Sequence, residues 1–125
     1  FQLYQSIDIA LDPFPYNGHT TTCEALWMGV PVITLQGKTA FGRFAGDILT
    51  SLGLEELIAN SPPEYVNIAL HLAHNLEKLE TLRLSLREKM QHSLLCNRTQ
   101  YVRSVEALYQ QIWREWHHTP SSPML

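Results

Sequence analysis

The sequence predicts an α/β domain with a short parallel sheet, and three observations support this class. Apolar, β-branched runs at residues 7–11, 31–35 and 57–59 are typical of strands. Helical stretches at residues 20–28 and 41–52 separate those strands. The strands are apolar along their length, so helices are expected to cover both faces of the sheet. This order is typical of a partial Rossmann-like sheet of about three strands.

Proline and glycine mark where the predicted elements end. The first strand should stop before Pro13, because proline cannot donate to a central ladder, and turn formers follow as far as Gly18. Gly29 and Gly53 stand where the two helices should reach their C-caps. Asp12 is expected to serve the turn ahead of Pro13, with contact to a ligand as the alternative.

The second half of the chain predicts C-terminal helices. Pro62 and Pro63 suit a first helical turn, and the apolar spacing that follows is interrupted near Asn75. The predicted packed faces are Val66, Ala69, Leu70, Ala73 and Leu76, then Leu79, Leu82, Leu86 and Met90, and last Tyr101, Val105, Leu108, Ile112 and Trp116. A domain at residues 1–117 is expected, followed by a flexible tail at residues 118–125.

Composition excludes several classes of function. A net charge of −3 gives no general attraction to nucleic acid or to acidic membranes. No apolar run approaches the roughly 20 residues that cross a bilayer. Two widely separated cysteines are typical of a reduced, cytoplasmic protein. His71 and His74 lack further ligands in a recognisable pattern, so no metal site is predicted.

The most informative segment begins the first helix. Residues 17–24 lie at the carboxyl edge of the predicted sheet, where ligands of open α/β sheets bind. The first N–H groups of a helix lack internal partners and carry partial positive charge. Gly18 would let a phosphate approach the backbone, and His19, Thr20 and Thr21 could donate hydrogen bonds to it. The segment is therefore a candidate phosphate site, although it matches neither the P-loop nor the dinucleotide fingerprint.

The same segment has a purely structural interpretation. Thr21-Thr22-Cys23-Glu24 fits the capping box, in which the first and last side chains bond the backbone of the helix itself. With a ligand present, the Glu24 carboxylate would instead accept hydrogen bonds from a pair of ribose hydroxyls. Lys38 and Arg43 follow the second strand and could face the same ligand, with solvated surface as the simpler expectation. The pattern by itself leaves both interpretations open.

A long run of this sequence resembles a known enzyme family. Residues 8–35 read DIALDPFPYNGHTTTCEALWMGVPVITL. This run resembles the C-terminal catalytic lobe of the O-linked N-acetylglucosamine transferase family, including its SPINDLY-like members. The likeness continues through Glu64-Tyr65, residues 82–87 and the stretch from Tyr101 to Trp113, so it covers nearly the whole chain.

The resemblance implies a GT-B enzyme with two facing Rossmann-like lobes, usually preceded by tetratricopeptide repeats. Residues 1–117 would form part of its C-terminal, nucleotide-sugar-binding lobe. His19, Thr20 and Thr21 would line the donor diphosphate beside Gly18, and Glu24 would hold the ribose. UDP-N-acetylglucosamine is the favoured donor, and Ser/Thr hydroxyls of proteins are the acceptors. GDP-fucose and UDP-glucose are alternative donors within the family, and neither a metal nor another cofactor is implied.

Part of the family's machinery matches nothing in this chain. The proposed base, and a lysine that helps to neutralise the leaving diphosphate, come from segments before the position of Phe1. We therefore expect a piece of a longer enzyme, with no catalytic residue of its own and no activity in isolation. The protein acceptor would bind through those other parts. A function of another class, a non-catalytic α/β interaction module, also fits the sequence.

A thin sheet leaves an open edge, and open edges favour self-association. We expect the isolated chain to form homodimers as its concentration rises. Sedimentation analysis over a concentration series should show a growing dimer fraction. A chain that stays monomeric at high concentration would contradict this expectation.

Overall fold

The strands form a parallel sheet in chain order. The structure, a computed structural model, describes residues 2–118. The strands are β1 (Ala10–Leu11), β2 (Val32–Leu35) and β3 (Ile58–Ala59), in the order β1-β2-β3. Helices α1 (Thr20–Trp27) and α2 (Phe44–Ser51) connect them. The predicted α/β class and parallel pairing are confirmed.

Three further helices complete the described chain: α3 (Pro62–His74), α4 (Leu76–His92) and α5 (Arg98–His118). Helices α1, α2 and α3 contact the central strand β2, and α4 packs on α1 and α3. Val32, Ile33 and Thr34 of β2 are all buried, and successive side chains point to opposite faces of a sheet. Both faces of β2 are therefore covered, as its apolar sequence predicts.

β1 is shorter than the predicted strand at residues 7–11. Gln2–Ser6 form a 3₁₀ turn, and regular pairing begins only at Ala10. The Arg83 guanidinium of α4 donates to the Ile7 carbonyl at 2.7 Å and lies 3.1 Å from the Asp8 carboxylate. The register gives the reason for the late start, because the donor that would extend the ladder back from Ala10 belongs to Pro31, which has no N–H.

The helix boundaries follow the glycines closely, with one correction. Gly29 and Gly53 have φ of 77° and 66°, the left-handed conformation expected just after a helix. α2 begins at Phe44 rather than at residue 41. The Gly42 N–H bonds the Thr39 carbonyl at 3.1 Å, and the Gly42 carbonyl accepts from the Gly37 N–H at 2.6 Å. These bonds close a turn ahead of the helix.

The helical half is confirmed in outline but not in all of its packed faces. Asn75 ends α3, and its side chain caps α4 by accepting from the Lys78 N–H at 3.0 Å. The predicted face of α4 is buried. On α3, Leu72 is buried, whereas Val66 and Leu70 are exposed along a groove of 330 Å³ beside Ile9 and Leu11 of the β1 edge. The predicted packing of that face is therefore wrong for Val66 and Leu70, whereas Ala69 is partly buried against the core.

α5 forms as predicted, but its apolar face is not packed. Trp116 is 68% exposed, and Tyr101, Leu108 and Ile112 are exposed as well. The helix extends away from the turn at Leu94–Cys96, which explains the exposure. Apart from His118, the tail predicted at residues 118–125 lies outside the described residues. Within residues 2–118, no helix combines the length and apolarity needed to span a bilayer.

Leucines on the two sides of α4 should differ sharply in their contribution to stability. Leu86 is fully buried and Leu84 is 78% exposed. Leu86→Ala should lower the free energy of unfolding by about 2 to 5 kcal/mol, because it leaves a cavity in the core. The matched change Leu84→Ala should alter it by less than about 0.5 kcal/mol. Urea denaturation of both variants checks this, and equal losses would show that α4 does not pack as described.

Candidate functional site

The turn between β1 and α1 is organised by Asp12. This residue follows β1 directly and is only 4% exposed. Its carboxylate accepts from the Gly18 N–H at 2.7 Å and from the Thr34 hydroxyl at 2.6 Å. Its backbone carbonyl accepts from the Tyr65 hydroxyl at 2.9 Å. The turn role expected of Asp12 is confirmed, because one residue ties together the turn, β2 and α3.

Burial is the main influence on the pKa of Asp12. It raises the pKa of the Asp12 carboxyl above its ordinary value of 3.8, while the bonds from Thr34 and Gly18 act in the opposite direction. Burial, and then the Asp12 charge, raise the pKa of Tyr65. With a raised pKa in the folded state, the contribution of Asp12 to stability is greatest below pH 3.8 and declines as the pH rises through that folded-state pKa. The ionised carboxylate therefore costs folding free energy at neutral pH.

Asn17 closes the same turn from inside. Its side chain is 2% exposed, its N–H donates to the Phe41 carbonyl at 3.0 Å, and its Nδ2 donates to the Pro13 carbonyl at 3.2 Å. Its Oδ1 is buried and has no hydrogen-bond partner among the described residues. Buried acceptors of this kind are uncommon in folded proteins. The turn that leads into α1 thus contains one buried acceptor, the Asn17 Oδ1, without a hydrogen bond from the described residues.

α1 begins without a side-chain cap. His19 is its N-cap residue, and no side chain bonds the first N–H groups of the helix. The Cys23 N–H makes the first backbone bond, to the His19 carbonyl at 3.1 Å. The N–H groups of Thr20, Thr21 and Thr22 have no partner among residues 2–118. The positive end of the helix is therefore available to an anion at the carboxyl edge of the sheet.

The capping-box interpretation of this segment is wrong. Thr21 lies inside the helix, one residue past its start, and so cannot be the N-cap that a capping box requires. A related arrangement occurs instead at α3. There the Ser61 hydroxyl accepts from the Glu64 N–H at 3.3 Å, and the Glu64 carboxylate accepts from the Asn60 N–H at 2.7 Å.

The structure brings the predicted diphosphate and ribose residues together. Gly18, His19, Thr20 and Thr21 are consecutive at the helix start, and Glu24 lies about one turn further along. Of these residues only Thr21 lines the neighbouring cavity of 210 Å³, together with Asp12 and Thr22. Sites for whole ligands usually measure about 300 to 1,000 Å³. The described chain therefore offers room for part of a nucleotide sugar.

Aromatic rings stand beside the start of α1, a feature that the sequence analysis missed. The His19 ring lies 5.1 Å from that of Phe44, and Phe44 meets Phe41 edge-to-face at 5.9 Å. Phe41 in turn stacks on Tyr16 at 5.2 Å. The rings come from two turns that are distant in sequence, and only the fold joins them. Tyr16 and Phe41 are exposed, so these rings form an exposed aromatic cluster next to the uncapped N-terminus of α1.

The remaining candidates stay outside this cluster. Lys38 and Arg43 are exposed, in line with the simpler expectation, and the Arg43 guanidinium donates to the Lys38 carbonyl at 3.3 Å. On α3, the Nδ1 of His74 lies at hydrogen-bond distance, 2.7 Å, from the Leu70 carbonyl oxygen. Across the described part of the chain, no three His, Cys, Asp or Glu side chains are grouped so that they could hold a metal ion.

The fold and the site define an α/β domain with an uncapped helix terminus at its sheet edge. Comparison of the sequence with known proteins shows the family. The family model described as glycosyl transferase family 41 matches residues 3–105. The chain therefore belongs to glycosyl transferase family 41.

Three relatives show how far this similarity extends. A probable UDP-N-acetylglucosamine–peptide N-acetylglucosaminyltransferase SPINDLY from Solanum lycopersicum is 44% identical over 92% of this chain and 12% of its own length. A UDP-N-acetylglucosamine–peptide N-acetylglucosaminyltransferase from Caenorhabditis elegans is 34% identical over 90% of this chain and 10% of its own length. The solved structure of a Thermobaculum terrenum O-GlcNAc transferase mutant has a TM-score of 0.85 and 40% identity, covering 91% of this chain and 22% of that one.

Gly18 should tolerate no larger side chain. A Cβ added there would lie 2.7 Å from the Thr21 hydroxyl oxygen and 2.8 Å from that of Thr22. Gly18→Ala should therefore destabilise the fold by about 1 to 3 kcal/mol through overpacking. Denaturation of Gly18→Ala with and without Thr21→Ala checks the cause. Relief of one contact should make the loss smaller in the double variant, whereas strictly additive losses would contradict the predicted clash.

Proposed function

We propose that this chain is the donor-binding part of a glycosyltransferase that transfers N-acetylglucosamine from UDP-N-acetylglucosamine to Ser/Thr hydroxyls of proteins. The observation that carries the proposal is the uncapped N-terminus of α1, with three unpartnered N–H groups at the sheet edge of a family 41 chain. The names of the relatives supply the donor and the peptide acceptor. The chain spans 12% of the tomato relative. In this proposal the acceptor site and the catalytic base belong to other parts of the enzyme.

The diphosphate would bind where the helix is positive. Its oxygens would accept from the N–H groups of Thr20, Thr21 and Thr22, with the hydroxyls of Thr20 and Thr21 and the His19 ring as further donors. These groups are held in place by the fold before any ligand arrives. Such preorganised donors stabilise charge that grows on the diphosphate as the glycosidic bond breaks. The part played by this chain is therefore stabilisation of the leaving group, without a metal ion.

The ribose would bind further along the same helix. Glu24 is half-buried and lies on α1 beyond the diphosphate donors. Its carboxylate can accept from two neighbouring hydroxyls at once. The protein carries a net charge of −3, so anion binding depends on this local arrangement rather than on overall charge. We place the reaction in the cytoplasm, in a parent protein that also carries tetratricopeptide repeats.

Nucleotide titration tests the proposal. UDP should bind more tightly than GDP and shift the amide NMR signals of residues 18–24. Thr21→Ala should lower the affinity for UDP by roughly tenfold, because a hydrogen bond to a charged ligand is lost. Thr81→Ala, the same change at an exposed site on α4, should leave the affinity within about twofold.

The titration should be run on the chain and on the complete enzyme that contains it. Absence of signal changes at these residues in both would contradict the donor site. Tighter binding of GDP would retain the site but replace the proposed donor.

A further inference from the structure

We propose that Asp12 is a positioning residue for donor binding, which sets the direction of the free N–H groups of α1 through its bond to Gly18. The inference rests on the proposed function, since it concerns the same diphosphate site. It adds a buried residue that lies outside the predicted set of ligand contacts.

The sheet register places Asp12 where it can do this. Leu11 pairs with Ile33, so Asp12 stands beside Thr34 at the carboxyl end of the ladder, and its N–H donates to the Ile33 carbonyl at 2.9 Å. One carboxylate oxygen receives the Thr34 hydroxyl at 2.6 Å, and the other receives the Gly18 N–H at 2.7 Å. The carboxylate thus bridges the rigid sheet to the residue that precedes the N-cap of α1.

This bridge determines which backbone donors remain for a ligand. The Gly18 N–H points at Asp12 and is occupied, whereas the N–H groups of the next four residues, from His19 to Thr22, have no hydrogen-bond partner among the described residues. The turn also packs closely around Gly18, since a Cβ there would lie within 2.8 Å of the Thr21 and Thr22 hydroxyl oxygens. Asp12 therefore occupies the Gly18 donor of this turn and leaves the N–H groups of the next four residues for the diphosphate.

If Asp12 acted only through its charge, removing that charge would change the affinity for the diphosphate in the opposite direction. A carboxylate near a diphosphate repels it, so removal of the Asp12 charge without any positioning role should strengthen binding. Loss of a fixed Gly18 peptide should weaken binding instead. Among the described residues, Tyr65 of α3 donates to the Asp12 carbonyl, and Tyr4 of the Gln2–Ser6 turn lines the same cavity as Asp12. The sign of the change in affinity therefore separates the two roles.

The test uses Asp12→Asn, with Asp8→Asn as the matched control. Asp8 undergoes the same loss of charge, but its side chain is 80% exposed and lies at the opposite end of the strand region. The ligand is UDP-N-acetylglucosamine, whose diphosphate has no proton to lose near neutral pH. At pH 7.5, Asp12→Asn should weaken binding about tenfold, since a neutral amide is a poorer acceptor for the Gly18 N–H. Asp8→Asn should stay within about twofold.

A second pair of variants and a spectroscopic readout keep the test decisive. Thr34→Val removes the hydroxyl that fixes the carboxylate and should weaken binding, whereas Thr34→Ser retains the hydroxyl and should not. In Asp12→Asn the Gly18 amide proton signal should move upfield, because it no longer faces a charged acceptor. If Asp12→Asn fails to fold, the two Thr34 variants decide the question, and equal affinities for them would overturn the inference.

The possible failures of the two proposals differ. If the unsubstituted chain and the complete enzyme both fail to bind the nucleotide sugar, the proposed function falls, and this inference falls with it. If the unsubstituted protein binds and a folded Asp12→Asn binds equally or more tightly, only the positioning role is overturned.

Discussion

A buried carboxylate organises the turn between β1 and α1. Asp12 is placed by the ladder of β1 and β2, and it in turn fixes the turn that leads into α1. Burial makes its charge costly, as the raised pKa shows. A fold keeps such a group where its hydrogen bonds define a local geometry that an apolar side chain could not define. Through its bonds to Gly18 and Thr34, this residue connects the start of α1 to β2.

Helix α4 holds the segment before β1 and the C-terminal end of α1. Arg83 bonds the backbone ahead of β1, and Arg87 donates to the Trp27 carbonyl at 3.0 Å while its guanidinium lies 5.2 Å from the centre of the Trp27 ring. The C-terminal end of α1 is therefore held by α4, and its N-terminal end is governed by the turn at Asp12. A helix fixed at both ends can present its first N–H groups without rearrangement, which is the property that an electrostatic site requires.

The sequence predicted the elements well where local signals were strong. Glycines at helix ends, the proline pair before α3 and the break at Asn75 all act within a few residues, and the structure places them as expected. The start of β1 was mispredicted because it depends on the register, which sets Pro31 where the next ladder donor would be needed. The role of Thr34 depends on strand register, and the aromatic cluster depends on two turns that are distant in sequence. No local sequence pattern encodes either feature. One signal was present for Thr34, a hydroxyl at the end of an otherwise apolar strand.

The exposed helix α5 gives the molecule a mechanical property of its own. It has 21 residues, so it is about 30 Å long, and its contacts centre on the short turn at Leu94–Cys96. A rotation of roughly 10° at that turn would carry the far end through about 5 Å, given the same rise per residue. The position of the exposed tryptophans near the far end of α5 is therefore very sensitive to the angle of that turn.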